Sequence, residues 1–566
     1  MKVFFIGVIL TGVLFLNACV SQPAPLRTKY TMKSDGAVPE SQKNLMITNA
    51  ELHFTVFPKQ KSISGKSILT LISSKQRSEI GIDLDSLFKI DAIKINDTPL
   101  DQSMYSNPEG LLKISLPTPI SGEVVLTIEY SGKPRVAVNA PWDGGFVWSK
   151  TSQGKDWIAT AVQGEGCDLF WPCIDYPVGE PKNLSMHITV PKDLFAAANG
   201  VLTNITDQGQ TKTYHWQANS VQNTYGVALN IGPYEIIETT YQSIYGNTIP
   251  VYFYHLPESK EKAQELTKEL LEITHFFEKF VGPYPFAKDK IGVVETPHLG
   301  MEHQTINAYG NHYKKDKYGF DWLLHHEFAH EWFANQLTNE NADHMWLHEG
   351  FGAYLQPLYA QYLHGDYVYM AYMHSKRLGV RNSFPIVGNK TLSVEEVYQK
   401  ETGPGGDIYS KASWVLHTLR NLIGDEHFFA ASTELVYGRP DPQPGNFSPV
   451  IANTQDFLKI VNRVTGQDYT WFFDVYLYQA SLPKVVKEQS EGRVLLSWQI
   501  ENDKYFPMPL DISLNGKVLT LDLSTQVNIE VGPFDKLIID PSSKVLKEET
   551  YVNEYQEFME EARTLK

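Results

Sequence analysis

The chain has 566 residues, too many for a single hydrophobic core, and points to roughly two to four domains. Hydrophobic residues make up 42 % of it, so burial is not limiting. With 49 basic against 65 acidic residues the net charge is −16, which argues against a nucleic-acid partner and fits an acidic surface that attracts cationic substrates.

Residues 1–19 differ in kind from the rest. Lys2 precedes an apolar run from Val3 to Leu16, too short to span a bilayer comfortably but suited to a secretory signal. The run ends in Leu16-Asn17-Ala18-Cys19, which resembles the bacterial lipobox. That resemblance implies export and lipid attachment at Cys19, anchoring the protein to a bacterial membrane on its periplasmic or cell-surface face. An ordinary cleaved signal with a chance cysteine is the other reading. Residues 20–45 are polar with Pro and Gly and are expected to form a flexible tether. Two further cysteines, Cys167 and Cys173, are close enough in sequence to pair or to remain free.

From 46 to 237 the pattern has period two. Leu52, Phe54 and Val56 alternate with His53 and Thr55, and Ser67–Ile72 and Val124–Tyr130 behave alike, predicting an N-terminal antiparallel β-domain. Within it the segment from Gln163 to Asp175 combines glycines, acids and large aromatics, an unusual loop composition. Near Glu258 the period changes. Ala263, Leu266, Leu270, Ile273, Phe277 and Phe280 recur at three and four, predicting an amphipathic helix that Gly282-Pro283 ends. A buried strand over Ile291–Val294 leads to Leu299-Gly300-Met301-Glu302-His303. Helical pattern continues past Glu349 until Gly403-Pro404-Gly405-Gly406. A mostly helical region is therefore placed at 238–482. Strand pattern returns over 483–550, where Asn515-Gly516 signals a hairpin, predicting a small C-terminal β-sandwich. A charged helix closes the chain within 551–566.

The chemistry concentrates in Asp321–Phe351. His326, Glu327 and His330 have the spacing H-E-x-x-H. Residues four apart share one helix face, so both imidazoles can meet one metal ion. Zinc is the usual guest and takes a third protein ligand plus one open position. Glu349, on a second helical run after a turn, is the candidate third ligand. Glu327 stands beside the open position, where it can take a proton from water. His325 faces elsewhere on the helix and is read as a packing or surface histidine, not a ligand. Phe328, Ala329, Trp332 and Phe333 give the helix its buried faces. No glycine-rich phosphate loop, serine-centred nucleophile elbow or basic stripe is present.

H-E-x-x-H followed by Trp346-Leu347-His348-Glu349-Gly350-Phe351 resembles the gluzincin zinc aminopeptidases, of the aminopeptidase N and leukotriene hydrolase/aminopeptidase type. Thr338 to Gly350 looks most like the leukotriene hydrolase branch. The resemblance implies a multidomain α+β chain with a thermolysin-like, mostly helical catalytic domain and one zinc ion. It also implies a hydrolase acting on peptides with a free N-terminus. Gln163 and Glu165 match a Q-x-E/Q pair that helps hold the substrate amine. Gly300, Met301 and Glu302 match G-x-M-E, whose backbone lies along the substrate and whose Glu binds the α-ammonium. His303 stands where the family usually has Asn. Tyr409, in Tyr409-Ser410-Lys411-Ala412, matches the tyrosine that faces the oxyanion. Two other functions share this sequence: an epoxide or small-lipid hydrolase on the same metal, and a silent peptide-binding lipoprotein.

Overall fold

A computed structural model describes residues 34–532 and 535–564. The expected signal segment and Cys19 lie outside the described residues. Residues 34–44, expected to belong to a flexible tether, are instead seated on the protein. The Ser34 carbonyl accepts the Val394 N–H at 3.1 Å, and Asp35 bridges Ser393 and takes the Ala342 N–H on Oδ2 at 2.5 Å. Gln42, fully buried, donates to Asp83 Oδ2 at 2.7 Å. The polar residues that suggested solvation instead satisfy backbone and carboxylate groups of the folded chain.

The N-terminal part is a nine-stranded sheet. Its long strands are β1 (Leu45–Phe57), β2 (Ser62–Asp83), β3 (Leu111–Gly132), β4 (Leu184–Pro191) and β5 (Thr211–Ala218). They lie in the order β5-β4-β1-β2-β3. All pairs in this sheet are antiparallel except β1 with β4. After β3 the chain builds part of a second, four-stranded sheet and the 163–175 loop before β4 returns beside β1. Alternation works as the period predicts: Leu52, Phe54 and Val56 are buried while His53 and Thr55 are half-exposed. Cys167 and Cys173 form a disulfide that closes the 163–175 loop.

A five-stranded sheet follows: β6 (Glu235–Gln242), β7 (Thr248–His255), β8 (Ile291–Glu295), β9 (Gly300–Met301) and β10 (Asn307–Tyr309), ordered β6-β7-β8-β10-β9. The expected boundary at 237/238 thus falls inside β6. Helix α1 (Lys260–Phe280) buries the predicted apolar stripe. The site is carried by α2 (Trp322–Ala329) and α3 (Trp346–His364), with α4 (Asp366–Arg377), α5 (Val394–Tyr398) and α6 (Ser410–Tyr437) around them. The helical run expected to continue to Gly403 stops earlier, at Arg377. Residues 378–393 contain Pro385 and left-handed Asn382 and Asn389, none of which continues a helix.

Two three-stranded antiparallel sheets form the C-terminal β region. Asn515 (φ 54°) and Gly516 (φ 85°) make its hairpin turn, both in the left-handed conformation such a turn requires. Its buried Val494, Leu496, Leu510 and Ile512 join one apolar cluster with helices α1 to α6, whereas the N-terminal sheets form a separate cluster. Among the described residues no helix is long and apolar enough to cross a membrane.

Candidate active site

Asp321 caps α2, its Oδ1 accepting the N–H groups of Leu323 and Leu324 at 3.1 Å. His326 lies in the helix and His330 ends it, still in the right-handed helical conformation. The chain then breaks at Phe333 and Ala334, turns through Leu337–Asn339, and re-enters α3. The apolar residues beside the motif are fully buried, and Trp332 stacks on Phe277 with ring centroids 4.8 Å apart. This short turn brings Glu349 back over the histidines.

The three ligand atoms form a nearly equilateral triangle. His326 Nε2 and His330 Nε2 are 3.4 Å apart, and Glu349 Oε2 lies 3.4 and 3.5 Å from them. Ligand atoms about 2.0–2.1 Å from a tetrahedral zinc stand about 3.3 Å apart, so the triangle fits one zinc ion. Glu349 Oε2 is buried and makes no hydrogen bond. The second atoms are committed elsewhere: His330 Nδ1 is 2.9 Å from the Phe333 carbonyl, so Nδ1–H donates there and Nε2 faces the triangle. Glu349 Oε1 accepts from Tyr398 Oη at 2.7 Å. Gly352, one turn beyond Glu349, permits the approach of α3, because a Cβ there would lie 3.1 Å from His330 Cε1.

Charge supports the same fit. Burial lowers His330, but the Glu349, Glu302 and Glu327 carboxylates outweigh it and hold its pKa at about 10. Burial opposes the ionised form of Glu349, and the two imidazoles nonetheless hold it well below the carboxylate range. Glu327 is pushed well above that range by burial and then by Glu302. Three buried carboxylates facing two imidazoles leave an excess of negative charge that a divalent cation balances.

A cavity of about 620 Å³ opens on this centre. Every residue expected at the site from sequence lines it: Gln163, Glu165, Gly300, Met301, Glu302, His326, Glu327, His330, Glu349 and Tyr409. Met301 and Gly300 form the edge strand β9 beside the metal ligands. Gly300 has no room for a side chain, since a Cβ would sit 2.7 Å from Glu327 Oε1. Glu302 Oε1 accepts from Gln163 Nε2 at 2.6 Å and from Tyr225 Oη at 3.0 Å, while its carbonyl accepts from Asn335 Nδ2 at 3.0 Å. Burial raises Glu302 above the ordinary carboxylate range. Glu165 also caps backbone, taking the Gly144 N–H on Oε2 at 2.6 Å. Tyr409 Oη lies 3.4 Å from Tyr398 Oη, and burial followed by Glu349 keeps its hydroxyl protonated.

His325 packs among Phe276, Phe277, Phe320 and Tyr359, away from the ligand triangle. His303 is fully buried and neither of its ring nitrogens has a hydrogen-bond partner. Burial, followed by His298, lowers it to about 3, so it is neutral. Tyr398 and Tyr225 are the site residues that sequence reasoning missed. Nothing local distinguishes them among thirty tyrosines; only folding brings them to Glu349 and Glu302.

Sequence comparison matches residues 263–476 to the peptidase family M1 domain and residues 40–225 to the peptidase M1 N-terminal domain. Together the two take in more than two thirds of the chain. The chain belongs to peptidase family M1. Aminopeptidase M1-C of Oryza sativa subsp. japonica is 23 % identical over 72 % of this M1 chain and 46 % of its own length. Leucine aminopeptidase 2 of Vanderwaltozyma polyspora is 24 % identical over 60 % of this chain and 51 % of its own. The chain thus spans about half the length of these relatives. A variant of the M1 zinc metallopeptidase of Deinococcus radiodurans, solved with a Tyr-Ser-Ala substrate, superposes with TM-score 0.65 at 22 % identity, covering 80 % of this chain and 98 % of that one. Aminopeptidase A of Legionella pneumophila gives TM-score 0.69 at 17 % identity, covering 90 % and 60 %. These likenesses show the M1 fold. The family uses one catalytic zinc, and the triangle of His326, His330 and Glu349 is a group that could hold such an ion.

Proposed function

We propose that this M1 protein is a zinc aminopeptidase that removes the N-terminal residue of peptides. The observation that carries this reading is Glu302, a buried carboxylate fixed by Gln163 and Tyr225 in the same cavity as the ligand triangle. A carboxylate so held suits a substrate α-ammonium and sets the scissile bond at a fixed distance from His326, His330 and Glu349. The substrate backbone would run along the open edge of β9, as an added strand. A zinc ion held by those three residues supplies Lewis-acid polarisation of the scissile carbonyl and makes water a better nucleophile. Glu327 accepts the proton of the attacking water and returns it to the leaving amine. The Tyr409 hydroxyl donates to the oxygen on which negative charge develops.

Glu302→Ala should lower kcat/KM for aminoacyl chromogenic substrates by about a hundredfold or more, with zinc content unchanged. Wild-type protein should reject the same substrates once N-acetylated. Equal turnover of free and acetylated substrates excludes the aminopeptidase reading.

We also propose that the protein is exported and tethered by lipid at Cys19. The Cys167–Cys173 disulfide supports an oxidising compartment, and the signal-like run ending at Cys19 supports the tether. Palmitate labelling that survives Cys19→Ala would refute the anchor.

A further inference from the structure

A second group of metal-ligating side chains lies on the solvent face of the nine-stranded sheet. His53 on β1 is directly opposite His187 on β4, and His187 is directly opposite His215 on β5. Three of the chain's seventeen histidines therefore stand in one row across three adjacent strands. Glu51, two residues before His53, shares that face. The row sits in a concavity of about 750 Å³ that shares no lining residue with the cavity over His326, His330 and Glu349. Besides the row itself, the concavity carries Asp91 and Glu129 against a single lysine, Lys66.

The atoms are close enough to bind one ion. Glu51 Oε1 is 2.8 Å from His53 Nε2 and 3.8 Å from His187 Nε2. These two edges bracket the separation of about 3.3 Å between ligands of a tetrahedral zinc. All three side chains are half-exposed, so a shift of about half an ångström at their tips costs little. What makes this more than a cluster is the support behind it. His187 Nδ1 lies 2.7 Å from His215 Nδ1, and His215 Nε2 lies 2.9 Å from Thr206 Oγ1. With Thr206 accepting from His215 Nε2–H, His215 Nδ1 is left to accept from His187 Nδ1–H. His187 Nε2 then keeps its lone pair towards Glu51 and His53. This is the arrangement in which an outer residue fixes the tautomer of a metal-binding histidine.

We propose that Glu51, His53 and His187 form a second metal site on the N-terminal sheet, with His215 as the residue that orients His187. Two imidazoles and one carboxylate select a borderline divalent ion such as zinc over calcium or magnesium, which take oxygen ligands. The site is independent of the catalytic centre and does not rest on the aminopeptidase reading.

The test is a titration of the protein, already carrying one zinc, with further Zn(II) at pH 7.5, followed by equilibrium dialysis and metal analysis. Wild-type protein should take up a second equivalent. His187→Ala and His53→Ala should each lose that equivalent while keeping the first and unchanged peptidase turnover. His215→Phe should keep two equivalents but weaken the second about 10–100-fold. Saturation of the wild type at one equivalent overturns the site, as does a second equivalent that survives both alanine substitutions. An unweakened second equivalent in His215→Phe overturns the orienting role of His215.

Discussion

Tyr398→Phe isolates one hydrogen bond behind the metal ligands. The Tyr398 hydroxyl donates to Glu349 Oε1 at 2.7 Å, and the other carboxylate oxygen, Oε2, faces both imidazoles. Phenylalanine keeps the ring and removes only the donor. A hydrogen bond to a charged group contributes about 1.5–3 kcal/mol net. Loss of an outer partner of a metal ligand typically costs about 10–100-fold in affinity, or about 1.4–2.7 kcal/mol. The two estimates agree because they describe the same event, a buried carboxylate freed to rotate away from the histidines. The zinc Kd of Tyr398→Phe, measured by competition with a chromogenic chelator, should therefore rise about 10–100-fold. Some loss of kcat at saturating zinc is also expected, because Tyr398 Oη lies 3.4 Å from Tyr409 Oη. A folded variant whose zinc Kd stays within about twofold of wild type refutes the reasoning, whatever happens to kcat.

Glu327→Gln should retain zinc and lose turnover by about 10²–10⁴-fold, the usual scale for a general base; zinc content and single-turnover rates check it. Gly300→Ala should also retain zinc yet lose turnover, because the added methyl displaces the Glu327 carboxylate that now lies 2.7 Å from its position. His325→Phe should leave zinc stoichiometry and turnover close to wild type, since His325 packs among aromatic rings and neither ring nitrogen is hydrogen-bonded. Asp35 gives a pH dependence. Burial raises its pKa from 3.8 to about 7, against the Ala342 N–H that lowers it. The folded value lies above the unfolded one, so its contribution is full below pH 4 and is lost as pH rises through 7. Asp35→Asn should stabilise the seated arm by at most about 4 kcal/mol above pH 7 and leave stability at pH 4 unchanged, as read by urea unfolding at the two pH values.

The parts legible in the sequence were those set by short-range geometry. H-E-x-x-H fixes two side chains on one helix face, and a connection only eighteen residues long, containing one break, limits where Glu349 can go. Period-two and helical stripes placed β1 and α1 for the same reason. What sequence did not show are partners chosen by three-dimensional satisfaction of polar groups. Tyr225 reaches Glu302 across 77 residues and Tyr398 reaches Glu349 across 49. The seated arm failed as a tether for that reason too: Asp35 finds the Ala342 N–H, 307 residues away. The 163–175 loop was half-legible. Its composition marked it as unusual, and the disulfide with the Gln163–Glu302 bond shows that it serves the cavity wall.

The electrostatics of the cavity favour positive charge beside Glu302 as well as at the ligand triangle. Glu302, Glu327 and Glu349 are all buried around one cavity; Glu349 raises the cost of ionising Glu302, and Glu302 and Glu349 raise that of Glu327. A divalent ion at His326, His330 and Glu349 would satisfy the inner carboxylates, but Glu302 remains, held by neutral donors that include Gln163 and Tyr225. On the proposed aminopeptidase reading, a peptide α-ammonium would supply the missing charge. An N-acetylated peptide supplies none and covers Glu302, which must then take a proton or stay buried and uncompensated. Breaking a buried ion pair by removing one partner costs about 3–5 kcal/mol, equivalent to about 10²–10³-fold or more in kcat/KM. Discrimination between free and blocked amines should therefore collapse in Glu302→Ala, where both substrates face the same uncharged wall. If the variant still prefers the free amine by a hundredfold, the ammonium is read by another group.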